Sequence, residues 1–319
     1  MGDAKLTTTQ LGATGMEITR VGFGAWAIGG GGWEFVWGPQ QDEESISSIH
    51  RALELGVNWI DTAAAYGFGR SERVVGRALA GLKDRPYVFT KCSLLDDGTG
   101  HVAHSLKRDS ILREAEASLE RLGIDAIDLY QIHWPDPEED IEEGWAALAE
   151  LKEQGLVRHI GVSNFDVAQL RRIAPIAPVE TLQPPYSLVD RSVAAEILPH
   201  AEQRGIGVIV YSPMGSGLLT GAMTRERIAA MPADDWRASD PDFNEPLLSE
   251  HLAVAERLRA VGARYGVSAG AVAVAWTLRN PAVDGAIAGF RRPDQVEPIL
   301  AAAGLRLTDD DVREIETAG

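Results

Sequence analysis

The chain has 319 residues, of which 45% are hydrophobic, and its formal net charge at pH 7 is −17. An apolar fraction of this size supports a large buried core, and the length fits one large domain or two smaller ones. The negative charge argues against nucleic acid as a partner, because binding a phosphate backbone requires clustered lysines and arginines.

Targeting and membrane segments are not predicted from the sequence. The first ten residues, MGDAKLTTTQ, have no apolar run behind their one lysine, so we expect no secretory signal. No stretch approaches the roughly 18 apolar residues of a membrane span. Cys92 has no second cysteine to pair with, which fits a reducing compartment. We therefore expect a cytoplasmic protein without a membrane partner, and the oligomeric state stays open.

Apolar runs typical of strands alternate with amphipathic segments typical of helices. A hairpin is predicted first, over residues 6–18. Strand-like runs follow at 21–26, 59–63, 87–92, 127–134, 159–163, 181–183, 208–211 and 286–289. Helix-like segments lie at 42–55, 71–79, 109–122, 141–154, 166–173, 193–204, 251–265, 268–279, 293–303 and 309–316. Regular alternation of strands and helices implies a parallel sheet.

The number of strand-like runs distinguishes two parallel architectures. Eight runs fit a closed barrel better than an open doubly wound sheet. The first run is not followed by a GxGxxG turn that opens a helix, although glycines are plentiful at 29–32. We predict one domain over residues 1–319, a (β/α)8 TIM barrel with an N-terminal β-hairpin. Long loops at 29–37 and 231–250 are expected at the C-terminal mouth, where insertions serve binding.

Four polar residues stand at or just beyond the ends of strand-like runs: Asp61, Tyr66, Lys91 and His133. Strand ends of a barrel converge on one mouth, so these side chains are expected to meet. Reduction of a carbonyl builds negative charge on its oxygen, and a phenol can donate a proton to it. We expect Tyr66 to be that donor, with Lys91 lowering its pKa from about 10. Asp61 would orient Lys91, and His133 would hydrogen-bond the carbonyl oxygen; each residue taken alone also fits a structural role.

A series of motifs runs in order through nearly the whole chain and resembles that of the aldo-keto reductases. Its members are WIDTAAAYG at 59–67, TK at 90–91, LYQIHWPD at 129–136, GVSNF at 161–165, QPPYS at 183–187, YSPMGSGLLTG at 211–221 and FRRPDQV at 290–296. With GAWAIGG at 24–30, the chain is similar to the bacterial branch that includes general-stress and inositol-associated reductases.

The resemblance implies a barrel that binds NADP(H) in an extended pose without a Rossmann fold. The four strand-end residues match the family's catalytic tetrad, with Tyr66 as general acid in reduction. The positions that match cofactor contacts are Trp26; Ser163, Asn164 and Gln183 at the carboxamide; Tyr211 on the nicotinamide ring; Ser212, Pro213, Gly215, Gly217 and Leu218 at the pyrophosphate; and Gly289, Arg291, Arg292 and Gln295 at the adenosine end. Taken without the resemblance, Ser163 and Asn164 also fit a helix cap, and 212–221 a flexible loop.

The adenosine end departs from the family pattern. Many members have a Glu-Asn pair there that grips the adenine, whereas this chain has Pro298 and Ile299. We expect NADPH/NADP+ as the cofactor because of Arg291 and Arg292, with Arg291 rather than Arg292 placed on the 2′-phosphate, since guanidinium groups suit phosphate. The missing adenine contacts leave NADH as an alternative.

Tryptophans are expected to line the substrate pocket: Trp26, Trp33, Trp37 and Trp134. Such a pocket favours planar or hydrophobic aldehydes and ketones without defining which. The chain ends soon after residue 316, so we expect an open pocket without the long C-terminal loop of some relatives. No ligand spacing joins the histidines to carboxylates or to the thiol, so no metal is expected.

The sequence therefore predicts an NADPH-dependent reductase of small-molecule aldehydes or ketones. An NAD(P)-dependent alcohol or polyol dehydrogenase that works oxidatively is one alternative, and initial rates in both directions separate the two. A slow-turnover NADP(H)-sensing regulatory protein is the other. Tight NADPH binding with negligible turnover and a stoichiometric partner would mark that third class.

Overall fold

The computed structural model describes residues 6–317 of the chain. The strands are β1 (Thr8–Gln10), β2 (Glu17–Thr19), β3 (Val21–Gly24), β4 (Trp59–Asp61), β5 (Tyr87–Cys92), β6 (Leu94–Asp96), β7 (Val102–His104), β8 (Ile127–Ile132), β9 (Val157–Ser163), β10 (Thr181–Gln183), β11 (Gly207–Val210) and β12 (Gly285–Gly289). Strands β3, β4, β5, β8, β9, β10, β11 and β12 close into a parallel barrel in that order. The predicted barrel class is confirmed, as is the N-terminal hairpin, in which β1 pairs antiparallel with β2.

Helices surround the barrel. They are α1 (Asp42–Glu54), α2 (Arg70–Leu79), α3 (Arg108–Leu122), α4 (Ile141–Glu153), α5 (Val167–Ile173), α6 (Ile197–Arg204), α7 (Arg225–Ala229), α8 (Leu247–Tyr265), α9 (Ala269–Thr277), α10 (Val296–Leu300) and α11 (Asp309–Glu316). The α7 helix and the β6–β7 hairpin were not predicted, because neither contains enough residues to show a hydrophobic period. None of the helices within the described residues is long and apolar enough to cross a membrane.

The barrel interior is built in layers by the alternation of side chains along each strand. An apolar layer contains Trp59, Phe89, Leu129, Ile209 and Ile287, and the hairpin closes it from below. Two residues further along these strands the side chain faces the interior again, one layer nearer the mouth. The residues there are Asp61 after Trp59, Lys91 after Phe89, Gln131 after Leu129, Tyr211 after Ile209 and Gly289 after Ile287. The strand period therefore places a polar layer directly on an apolar floor.

Two segments cover the mouth of the barrel. The first, residues 29–41, joins the turn after β3 to α1, and the second, residues 222–246, lies between β11 and α8. They touch each other, since the backbone N–H of Trp236 donates to the carbonyl of Val36 at 3.3 Å. Strand β3 ends at Gly24, earlier than predicted, because Trp26–Ile28 forms a 3-10 turn that points Trp26 toward the mouth.

Candidate active site

A buried ion pair lies at the centre of the polar layer. Lys91 Nζ donates to Asp61 Oδ1 at 2.5 Å and to the carbonyl oxygen of Thr62 at 2.8 Å. The other carboxylate oxygen, Oδ2, accepts a hydrogen bond from Gln183 Nε2 at 2.8 Å. Burial raises the pKa of Asp61 and lowers the pKa of Lys91, while the attraction between the two charges opposes both shifts. The pair joins β4 to β5 and is held in one geometry by Thr62, directly after β4, and by Gln183 on β10.

Tyr66 joins this pair to the open cleft. Its Oη lies 3.3 Å from Lys91 Nζ, and the residue is only 9% exposed. Burial raises the pKa of Tyr66 well above its ordinary value, and the charge of Asp61 raises it further. The pKa of Tyr66 is thus raised, not lowered as expected, because burial and the charge of Asp61 outweigh any effect of Lys91. Tyr66 therefore stays protonated at neutral pH and presents an O–H group to the cleft.

His133 follows β8 and stands beside Tyr66. The two rings are 5.7 Å apart at an interplanar angle of 76°. Burial lowers the pKa of His133 well below its ordinary value, and the charge of Lys91 lowers it further. The imidazole is therefore neutral, and its buried Nδ1 has no hydrogen-bond partner among the residues that the structure describes. A neutral ring can accept or donate one hydrogen bond to a substrate oxygen without adding charge.

Ser163, Asn164, Gln183 and Tyr211 form one hydrogen-bonded group beside the ion pair. Ser163 Oγ donates to the carbonyl of Gln183 at 2.7 Å, and Tyr211 Oη donates to Asn164 Oδ1 at 2.8 Å. Asn164 has a φ of 63°, a left-handed conformation that turns its amide toward the cleft. The cap of α5 is Asp166, whose side chain accepts from the backbone of the helix. Ser163 and Asn164 are therefore not the helix cap that their spacing also allowed.

A cavity of about 590 Å³ connects these groups to the far side of the barrel. Of the residues singled out in the sequence, the cavity is lined by Asp61, Tyr66, His133, Trp26, Trp33, Trp37, Trp134, Ser163, Asn164, Gln183, Tyr211, Ser212, Pro213, Gly217, Gly289, Arg291, Arg292 and Gln295. Pro298 and Ile299 lie along it as well. Lys91 stands behind Asp61 and Tyr66, so it acts on the cleft through them.

The structure does not bring every expected residue to this cleft. The side chain of Leu218 is buried against Met223, Phe243 and Leu248, because it faces inward from its turn. Gly215 lines a neighbouring pocket on the other side of the same turn. The other residues of 212–218 line the cavity: Ser212, Pro213, Met214, Ser216 and Gly217.

Two expected adenosine-end residues already have protein partners. The Oε1 of Gln295 accepts from the backbone N–H groups of Arg291 and Arg292, at 2.8 and 3.1 Å. The guanidinium of Arg291 donates to the segment 29–41. The Gln295 contacts are local to its turn, whereas those of Arg291 join residues 251 to 254 positions apart and so have no local signal in the sequence.

Residues that the sequence did not single out also contribute. Gln131 is buried in the polar layer, within 3.4 Å of Gln183 Nε2, and strand alternation from Leu129 would have found it. Arg237 comes from the segment 222–246, is 8% exposed, and lies 4.3 Å from the ring centroid of Trp37. It also lines the cavity. No local pattern in that polar segment distinguishes Arg237 from its neighbours.

The cleft fits a long dinucleotide better than a small solute alone. Its near end offers the amides and the hydroxyl that a carboxamide needs, together with the flat face of Tyr211. Its middle is the glycine-containing turn after Tyr211. At the adenosine end a Cβ added at Gly289 would meet nothing closer than 3.9 Å, so the cavity is open there. Among residues 6–317, no group of three or more His, Cys, Asp or Glu side chains is arranged to hold a metal ion.

Comparison with known proteins gives one family. The model of the aldo/keto reductase family matches residues 20–319. The chain is 40% identical over 312 residues to the aldo-keto reductase YhdN of Bacillus subtilis, covering 97% of this chain and 92% of that protein. It is 36% identical over 315 residues to the NADH-specific methylglyoxal reductase of Escherichia coli, covering 94% of each.

A solved structure with a similar fold is that of a glycerol dehydrogenase from Gluconobacter oxydans. Its TM-score is 0.87 at 38% sequence identity, and the match covers 97% of this chain and 94% of that one.

Proposed function

This chain belongs to the aldo/keto reductase family, and we propose from that premise that it reduces aldehydes or ketones to alcohols with NADPH. Family membership makes it an oxidoreductase that acts on carbonyl compounds. The observation that carries the finer proposal is the position of the Tyr66 hydroxyl. It is protonated, faces the cleft, and lies 3.3 Å from a lysine that is itself held by Asp61.

Each polar side chain at this end of the cleft has a separate task. A bound reduced nicotinamide supplies the hydride. Tyr66 donates its proton to the carbonyl oxygen as negative charge develops there. Lys91 stabilises the phenolate that Tyr66 becomes, since an adjacent cation favours the charged form. His133, neutral and on the same wall, donates or accepts a hydrogen bond at the same oxygen and so orients the carbonyl.

The residues on the opposite wall hold the hydride donor in place. Ser163, Asn164 and Gln183 offer hydroxyl and amide groups to a carboxamide, and their mutual hydrogen bonds limit their rotation. The ring of Tyr211 is fixed by its bond to Asn164, so it presents one face to the cleft. A flat partner on that face would leave its other side directed at Tyr66 and His133.

Rates on a panel of aldehydes and ketones test the proposal. Methylglyoxal belongs in the panel because a relative is named for it, and each carbonyl is assayed with NADPH and with NADH. We expect carbonyl-dependent oxidation of the reduced cofactor, faster with NADPH. Absence of turnover for every carbonyl with both cofactors would contradict the proposed activity.

The reverse reaction is a second candidate, favoured by the likeness to a glycerol dehydrogenase. The same residues would then serve with Tyr66 as the base, because proton transfer is reversible at one site. Initial rates with glycerol and simple alcohols in the presence of NADP+ or NAD+ measure it. A ratio of kcat/KM that favours alcohol oxidation over all tested carbonyl reductions would make this candidate the better one.

A further inference from the structure

Two adjacent arginines, Arg291 and Arg292, lie along the cleft at its adenosine end. We propose that they have different tasks: Arg291 fastens the segment 29–41 across the cleft, and Arg292 with Asp294 sets the choice between NADPH and NADH. The second task rests on the proposed use of a nicotinamide dinucleotide. The first task is a property of the protein by itself.

Arg291 is bound to the segment 29–41 through every nitrogen of its guanidinium. Nη1 donates to the carbonyl of Trp37 at 2.7 Å, Nη2 donates to the carbonyl of Pro39 at 2.5 Å, and Nε donates to Gln40 Oε1 at 2.8 Å. Gln40 returns a bond from Nε2 to the carbonyl of Arg291 at 2.9 Å and is only 6% exposed. A planar guanidinium holds three partners in one geometry, which a lysine cannot reproduce.

These bonds leave Arg291 poorly suited to be a phosphate ligand. Strong phosphate recognition by arginine is bidentate and uses two parallel N–H groups. At Arg291 such a contact would compete with the carbonyl oxygens that it already serves. Losing those bonds would release the segment and leave the carbonyls of Trp37 and Pro39 without that donor. The neighbouring Arg292 is therefore the better candidate for the phosphate ligand.

The segment that Arg291 holds forms the aromatic wall of the substrate end. The ring of Trp37 lies 5.1 Å from that of Trp26, nearly perpendicular to it. Trp26 in turn stacks on Trp236 at 5.3 Å. Arg291 donates a hydrogen bond to the backbone carbonyl of Trp37. Its contacts therefore position the aromatic wall at the substrate end of the cavity. A change at Arg291 should therefore act on substrate binding as well as at the far end.

Arg292 differs from Arg291 in its exposure to solvent and in its hydrogen-bond partner. Its side chain is 51% exposed, and its Nε donates to Asp294 Oδ1 at 3.1 Å. This guanidinium is available to a 2′-phosphate, and the hydrogen bond between the two groups would be charge-assisted. The carboxylate of Asp294 repels a phosphate, but it can accept a hydrogen bond from the free ribose hydroxyl of NADH. The pair therefore offers a cation that suits NADPH beside an anion that suits NADH.

Matched variants separate the two tasks by cofactor binding. Dissociation constants for NADPH and NADH are measured by quenching of tryptophan fluorescence with Arg292→Ala, Asp294→Asn and Arg291→Lys. We expect Arg292→Ala to weaken NADPH roughly tenfold and to leave NADH nearly unchanged. Asp294→Asn should shift the ratio toward NADPH. Arg291→Lys should change both affinities by the same factor and raise the KM for the carbonyl substrate.

Limited proteolysis of the cofactor-free protein tests the fastening directly. We expect the protease to cleave within residues 29–41 in Arg291→Lys. The side chain of Arg292 has no hydrogen bond to that segment, so Arg292→Ala should leave the segment resistant to cleavage. Gln40→Ala is the second variant, because it removes a partner of Arg291 and keeps both arginines. If the segment 29–41 stays equally resistant to the protease in Gln40→Ala and Arg291→Lys, the proposal that Arg291 fastens this segment is wrong.

One result of the cofactor measurements would contradict the division of tasks between the two arginines. Loss of NADPH binding alone in Arg291→Lys, with NADH binding and the substrate KM unchanged, would make Arg291 the phosphate ligand and overturn the division of tasks. If the unaltered protein binds neither dinucleotide, the proposed function fails together with the role of Arg292. Proteolysis would still decide the role of Arg291 in that case.

Discussion

The catalytic end and the adenosine end of one cleft are built by different means. At the catalytic end Asp61 and Lys91 project from neighbouring strands into the barrel interior, and both are buried. At the adenosine end Arg291 and Arg292 follow the last strand in a turn, and one of them is half exposed. The first set is held by the sheet, whereas the second set depends on contacts between loops.

The chemistry and the cofactor selectivity of the protein therefore differ in how easily a substitution can change them. Shifting a strand-end residue would disturb the hydrogen-bonded ladder of the barrel, so Asp61 and Lys91, which hold the proton donor, are fixed with the fold. A loop residue can exchange partners at small cost, because its backbone bonds are few and its side chain is near water. Cofactor choice is thus expected to vary more easily than the reaction.

Tyr66→Phe should abolish most turnover without affecting the adenosine end. Removing one hydroxyl deletes the proton donor, and general acid catalysis contributes about 10²–10⁴-fold in rate. We expect kcat to fall by that factor while the dissociation constant for NADPH stays within about twofold. Steady-state kinetics and a fluorescence titration measure the two quantities. A kcat close to that of the unaltered protein would remove Tyr66 from its proposed role.

Lys91→Met should lower the free energy of unfolding more than any single change at the adenosine end. The change leaves Asp61 as a buried charge without its cation, and breaking a buried pair in this way costs about 3–5 kcal/mol. The double variant Asp61→Asn/Lys91→Met should recover part of the loss, because no unpaired charge remains. Urea unfolding of the three proteins gives the values. A double variant less stable than Lys91→Met would show that the pair is not the source of the loss.

Glu114 should make the stability of the catalytic end depend on pH. This carboxyl on α3 accepts from the backbone of Ser93, two residues beyond Lys91, at 2.9 Å and from Ser110 Oγ at 3.1 Å. Burial raises its pKa from 4.5 to about 7. The folded protein therefore binds this proton more tightly than the unfolded chain, so its stability falls as the pH rises from 4.5 to about 7.

The contribution of Glu114 is on the order of 3 kcal/mol, since one pKa unit corresponds to about 1.4 kcal/mol. The free energy of unfolding of Glu114→Gln should lack this decline, because the amide does not ionise. Subtracting the two stability curves over the same pH window isolates the effect. Parallel curves for the two proteins would exclude Glu114 as the titrating group.

Salt should produce the smallest effect, and only at the adenosine end. Interactions of an exposed charge are screened within about 10 Å at an ionic strength near 0.1 M. Because Arg292 is exposed, NADPH binding should weaken several-fold as ionic strength rises, and NADH binding should weaken less. Titrations at two salt concentrations measure both cofactors, with Arg292→Ala as the control. Equal salt dependence for the two cofactors would place the selective contact elsewhere.

Much of the catalytic end could be predicted from the sequence, because its geometry follows from a local period. Once the run ending in Asp61 is taken as a barrel strand, alternation assigns the carboxylate to the interior, and the same holds for Lys91. The run DLYQI likewise ends one residue before His133. The direction of the pKa shift of Tyr66 could not be obtained in this way. It depends on burial and on the distance to the charge of Asp61, which are three-dimensional quantities.

The barrel and the residues at its strand ends could be predicted from the sequence, because periods of two and 3.6 residues specify which side chains face inward. Only the tertiary structure decided that Arg291 holds Trp37 and Gln40, that Leu218 turns into an apolar cluster, and that Arg237 enters the cleft. These contacts join loops without a repeating pattern, and several link residues far apart in the chain. Their geometry exists only after the barrel has brought the loops together at its mouth.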